Sequence, residues 1–167
     1  MLVMGVDPGI ERTGVSILSY NNGADRPKLI FSKLIKTKSD LLQSKRLENL
    51  YDELSNIINS YNIDYASVEK LFFAKNVKTA MVVSEARGVI LLAIEKAGIK
   101  IFEYTPLQVK QAIVGYGRSD KKQIEALVKI ILKDSTIEAQ DDVIDSIAIA
   151  ITHINSNKLF SSIKNSK

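Results

Sequence analysis

Apolar residues in this chain fall into short runs near the start and longer helical stripes later. Residues 2–7 form an apolar run stopped by Asp7-Pro8-Gly9, a turn signal, so a first strand is expected there. Thr13 to Tyr20 (TGVSILSY) suits a second strand, Asn21 to Pro27 a hairpin loop, and Lys28 to Lys36 (KLIFSKLIK) a third strand. These three make an antiparallel meander. Leu47, Leu50, Leu54, Ile57 and Ile58 then recur at helical spacing, with Arg46, Glu48, Asp52 and Glu53 between them. Ile63 to Glu69 reads as a fourth strand, central because it is mostly apolar. Asn76 to Ala97 is a second long helix, and Ile99 to Tyr104 a fifth strand. This alternation implies parallel crossovers onto the meander. Thr105-Pro106 suits the N-cap and first turn of a short helix reaching about Val114. Gly115 to Ser119 is a loop, Asp120 to Leu132 a helix, and about Gln140 to Ile154 the last helix. The expectation is one α/β domain over residues 1–155, with a five-stranded mixed sheet flanked by helices. The Asn/Ser/Lys-rich stretch 156–167 reads as a flexible tail.

The helix at 76–97 has an uncommon pattern. Between Ala80 and Ile94 its only charged residues are Glu85 and Arg87. A surface helix normally shows one apolar stripe, whereas this one is apolar nearly all round. Ala80, Ser84 and Gly88 recur every four residues and allow close backbone approach. Gly88 costs roughly 1 kcal/mol of helix propensity, which packing could offset. Either the helix is buried within its own domain, or one face covers the sheet and the other meets a second copy. The pattern favours the second reading, a two-fold homodimer through helix 76–97.

Composition narrows the function. A chain of 167 residues suits a single domain able to bury its core without covalent staples. The absence of cysteine excludes disulfides and thiolate metal sites and fits a reducing compartment. The first apolar run has no basic flank and no stretch reads as a membrane span, so a soluble, cytoplasmic protein is expected. Net charge is +4, unevenly spread. Residues 105–133 hold six basic side chains, Lys110, Arg118, Lys121, Lys122, Lys129 and Lys133, against two acids. Residues 134–157 hold five acids and no Lys or Arg. A basic surface beside an acidic pocket suits a protein that grips phosphates and holds metal ions, although solvated helix faces give the same counts.

Four acids sit where a carboxylate is locally awkward. Asp7 and Glu69 end apolar strands, and Asp142 and Asp145 open the apolar pattern of the last helix. Such charges are costly unless compensated, and oxygen donors favour magnesium or manganese. A metal-dependent enzyme acting on a phosphate ester is therefore expected. Each acid also has a plain reading: Asp-Pro-Gly is a common turn, and Asp141 or Asp142 could simply cap the helix. Asp145 is harder to explain so, because it lies among apolar residues in the second turn. Phe72 and Phe73, flanked by Lys70 and Lys75, are unlike a core connector. Phe72 suits stacking on unpaired bases, with lysines holding the backbone, while Phe73 suits anchoring the loop. His153, the one histidine, lies roughly 12 Å beyond Asp145 along the helix and reads as structural or solvent-facing.

With these residues in view, the chain resembles the RuvC family of Holliday-junction resolvases over about residues 1–155. The resemblance rests on MGVDPGIERTGVSIL, on VEKLFFAKN followed by SEARGV, on FEYTPLQVKQAIVGYGRSDKKQI and on QDDVIDSIAIAITH. It implies a ribonuclease H-like fold, and Asp7, Glu69, Asp142 and Asp145 as a catalytic, metal-binding tetrad. Family spacing selects Asp142 over Asp141. The resemblance also implies that Phe72 stacks at the junction centre and that Lys110 and Lys121 serve DNA binding. Phe73, Lys75, Arg118 and Lys122 join the DNA-binding group from local sequence. Two Mg²⁺ ions roughly 4 Å apart, with Mn²⁺ as substitute, are the implied cofactor. The implied substrate is four-way junction DNA, cut by two symmetric nicks in recombination and repair, with branch-migration proteins as implied partners. Rivals are another ribonuclease H-like nuclease, a junction-binding module without catalysis, and a sugar-kinase or actin-type ATPase. The last needs a second half for which 167 residues leave no room.

Overall fold

The computed structural model describes residues 1–21, 26–71, 77–115, 120–134, 137 and 140–164, the side chains of 77–79 and 158–164 excepted. The chain begins with the expected meander of β1 (Leu2–Asp7), β2 (Arg12–Ser19) and β3 (Lys28–Lys36). Then follow α1 (Gln43–Asn59), β4 (Tyr65–Glu69), α2 (Val77–Lys96) and β5 (Lys100–Tyr104). Three helices close the chain: α3 (Pro106–Val114), α4 (Lys121–Leu132) and α5 (Asp141–Lys164). The strands order as β3-β2-β1-β4-β5, antiparallel within the meander and parallel from β1 through β4 to β5. This is the mixed α/β sheet that the strand and helix spacing predicts.

Strand alternation sorts the core into two layers. Met4, Val6, Val15, Ile17, Ala66 and Val68 face α1 and α2, where they pack with Leu50, Leu54, Ile90 and Ile94. Val3 and Leu18 face the other way, onto Ile147, Ile151 and the apolar sides of α3 and α4. By the same alternation Asp7 and Glu69 belong to the α5 face of the sheet. Helix α5 lies very close to that face. A Cβ at Gly5 would collide with the carbonyl oxygen of Ser146, and one at Gly14 with the carbonyl oxygen of Asp142. Both neighbours are backbone and cannot swing aside. Gly14→Ala is therefore expected to push α5 off the sheet and destabilise the fold by roughly 1–3 kcal/mol, read as a lower midpoint in chemical denaturation.

Helix ends follow their caps. Thr105 caps α3 and Asp120 caps α4, each in a reciprocal box with the glutamine three residues on. The last helix departs from expectation: it runs on to Lys164, so the end expected at Ile154 and the tail assigned to 156–167 give way to helix through residue 164. Asn157, within that extension, donates to the Met1 sulfur at 3.6 Å, tying the added turns to the start of the chain. Helix α2 is not wholly buried within its domain. Ala86, Ile90 and Ile94 are buried, but Met81 and Leu92 are 61% and 55% exposed and the space above Gly88 is open. Among the described residues no helix is long and apolar enough to cross a membrane.

Candidate active site

Asp7 and Glu69 end neighbouring parallel strands, paired through Val6 and Val68 just before them. Asp142 and Asp145 lie in the first two turns of α5, which the small residues Gly5 and Gly14 admit against the sheet. A one-turn spacing sends both side chains to the same side. The four acids named from sequence thus meet at one end of the sheet. Burial, reinforced by Glu69, Asp145 and Asp142, pushes the Asp7 carboxyl up to about 8, against a smaller opposing pull from Lys121. Burial and Asp145 push Glu69 up to about 7, opposed by Lys110 and Lys121. Asp145 is also raised, again first by burial. The doublet divides its roles: Asp142 acts on Asp7, whereas Asp141 is 71% exposed and pairs with Lys121 at 3.3 Å.

Two cations are set into this acidic group. The Arg12 guanidinium pairs with Asp142 Oδ2 at 2.6 Å, and Lys121 lies 3.9 Å from Asp145 Oδ2. Burial pulls the Lys121 ammonium down, but Asp145, Asp141 and Asp142 together carry it above its ordinary value. Beside them opens a cavity of about 290 Å³ whose wall includes Glu69, Lys110, Lys121 and Asp145. No three acids form a ready-made metal-ligating group among the described residues. The donor set nevertheless fits hard divalent ions. It offers only carboxylate oxygens, and the most buried member carries a large unmet demand for positive charge.

The remaining assignments divide. Lys110 and Lys121 reach the site, whereas Lys122 is exposed on the first turn of α4. Phe72, Phe73, Lys75 and Arg118 lie outside the described residues. His153 is buried, which decides between its two sequence readings. Its Nδ1 pairs with the Tyr104 hydroxyl at 2.9 Å, and its ring packs against Tyr65 and Phe102. Burial, then the Lys100 charge, lowers it to about 4, so it is neutral near pH 7 and serves the core. Two residues near the site went unassigned from sequence. Arg12 is one. The other is Arg87, which pairs with Glu103 and donates to the Glu69 carbonyl at 3.4 Å. Its charge, one of two between Ala80 and Ile94 in a largely apolar helix, was the available signal.

A five-stranded sheet with carboxylates at the ends of its central strands and on the helix packed over them defines a metal-dependent nuclease of the ribonuclease H-like class. The family model described as crossover junction endodeoxyribonuclease RuvC matches residues 3–153, and the chain belongs to that family. The RuvC of Caldicellulosiruptor saccharolyticus is 48% identical over 157 residues, 94% of each chain. A solved structure of Thermus thermophilus RuvC superposes with a TM-score of 0.87 at 28% identity, covering 95% of this chain and 96% of the other. The same protein in complex with a Holliday junction substrate gives a TM-score of 0.86 at 25% identity, with the same coverage. Nucleases of this family are metal-dependent.

Proposed function

We propose that this protein resolves four-way DNA junctions by paired symmetric nicks, hydrolysing phosphodiesters at the site built on Asp7. The observation that carries this reading is the buried Asp7 carboxylate, ringed by Glu69, Asp142 and Asp145 and bordered by Lys110 and Lys121. Divalent ions, Mg²⁺ or Mn²⁺ and two per site, supply Lewis acidity to the scissile phosphate when bound. Asp7 is the central ligand, since it faces acids from both β4 and α5. Glu69, Asp142 and Asp145 complete the set. Lys121 and Lys110 draw the DNA backbone toward the acids and offset their repulsion of phosphate. Lys122, on the exposed side of α4, extends that basic track, and Lys75 and Arg118 belong to it by sequence. Phe72 stacks at the junction centre, with Phe73 beside it. Residues 1–155 hold the whole catalytic domain.

Paired nicks need two sites, and the open face of α2 supplies the means. Met81 and Leu92 stand exposed on one side of that helix, with Gly88 leaving room between them. A second copy packed there related by a two-fold axis gives the symmetry of the junction. Leu92→Glu is expected to shift the protein to monomer in sedimentation equilibrium, while far-UV circular dichroism stays unchanged. A dimer persisting at micromolar concentration counts against this face. The protein acts in the cytoplasm and receives junctions from branch-migration proteins.

The deciding assay mixes the protein with a synthetic four-way junction, a linear duplex and an RNA–DNA hybrid, with and without Mg²⁺. Metal-dependent paired nicks on the junction alone support the reading. Equal cutting of the hybrid points to another ribonuclease H-like nuclease, and tight junction binding without cutting points to a non-catalytic module.

A further inference from the structure

The Arg12 contact is more than a surface ion pair. Arg12 opens β2 just before Gly14, the partner of Asp7 at the end of β1, and reaches the first turn of α5. Nε donates to Asp142 Oδ2 at 2.8 Å, and the charged Nη2 lies 2.6 Å from the same atom. Nη2 also donates to Gln140 Oε1 at 2.9 Å, which fixes the plane of the guanidinium. The Asp142 side chain is 25% exposed, so it is only partly screened by water. An oxygen that accepts from one guanidinium N–H and sits against a second guanidinium nitrogen is already paired with positive charge and is a poorer ligand for a cation. The guanidinium charge also repels any divalent ion nearby. Both effects have the same sign.

We infer that Arg12 is a resident counterion of the active site that competes with divalent metal for Asp142 and so weakens metal binding to the DNA-free protein. The inference rests on the reading of Asp142 as a metal ligand. Arg12 is 42% exposed and anchored at a strand end, so it has room to leave Asp142. A DNA phosphate brought to the site offers it an alternative partner of the same charge as the one it gives up. Metal loading and substrate arrival are thereby coupled: phosphate takes the arginine, and Asp142 becomes free for the ion.

The test is Mn²⁺ binding to DNA-free protein, followed by electron paramagnetic resonance, for wild type, Arg12→Gln, Arg12→Lys, Asp142→Asn and the double variant Arg12→Gln/Asp142→Asn. Arg12→Gln should bind Mn²⁺ about fivefold more tightly, the scale of one partly exposed ion pair. Arg12→Lys, with one donor nitrogen and the charge kept, should fall between it and wild type. In the Asp142→Asn background, Arg12→Gln should lose most of its effect, because the contested ligand is gone. Unchanged or weaker binding in Arg12→Gln, at an unchanged melting temperature, overturns the competition, as does an undiminished effect in the double variant. A fall in melting temperature with unchanged Mn²⁺ affinity marks Arg12 as a structural tie and overturns it too. Failure of the metal-site reading looks different: wild type then binds no Mn²⁺, or binds it equally well with Asp142 or Asp145 replaced by Asn.

Discussion

Asp7→Asn is expected to abolish junction cleavage, leave junction binding intact and raise the melting temperature of the metal-free protein. The three effects share one cause. Asp7 is buried beside Glu69, Asp145 and Asp142, and its charge is the least tolerated of the four. Either a proton or a cation relieves that cost, and the neutral amide removes both the repulsion and the proposed central ligand. If Asp7 is the central ligand proposed above, its loss should reduce the cleavage rate by a factor of about 10³ or more. Junction affinity should hold or improve, because one negative charge disappears near the phosphates. Above pH 8 the melting temperature in EDTA should rise by at least about 5 °C, since 1 kcal/mol moves it roughly 2–4 °C in a domain of this size. The readouts are nicking of a labelled junction, a gel-shift titration in Ca²⁺ and a thermal melt. A variant that melts lower and loses junction binding would show that Asp7 serves the fold.

The sequence carried the positions of the acids because their signals are local. Asp7 and Glu69 end apolar strands, and Asp142 and Asp145 break an apolar helical stripe. The parallel addition of β4 and β5 to the meander followed from element spacing and the rule for parallel crossovers, whereas the full strand order came from the fold. Long-range partners leave no such mark. Arg12 and Asp142 are separated by 130 positions, and only the folded sheet brings them together. Gly5 and Gly14 read as ordinary strand residues, yet they set the distance between α5 and the sheet. His153 lay on an apolar stripe, but the aromatic cage around it comes from β4 and β5. The end of α5 was misplaced because the polar composition after Ile154 resembles a frayed tail, while the helix stays hydrogen-bonded past it through Ser156 and on to Lys164.

The second large effect is a loss of stability with rising pH in EDTA, in a window where most proteins are indifferent. The ordinary carboxyl value of 3.8 for Asp7 is raised to about 8 in the fold, and that of Glu69 from 4.5 to about 7. The folded state therefore keeps protons that the unfolded chain has released. Stability from these groups is fullest below about pH 4 and is lost as pH rises through 7 and 8. His153 works in the opposite sense, because burial lowers it from 6.5 to about 4; the unfolded imidazole sheds its remaining protons just above pH 6.5 and offsets only a small part of the loss. The interval from pH 6.5 to 8 thus reports the carboxylates, and about 2 kcal/mol should be lost across it. Saturating Mg²⁺ is expected to reverse the dependence: ionised carboxylates would bind the ion, and binding to the folded state alone would stabilise it by mass action. Urea titrations at pH 6.5, 7.25 and 8, in EDTA and in Mg²⁺, measure both slopes. Asp7→Asn should flatten the EDTA series and blunt the response to Mg²⁺. A wild-type profile that is flat in EDTA over this interval means the acids are solvated and too far apart to repel one another, and such a site has no electrostatic reason to recruit a metal.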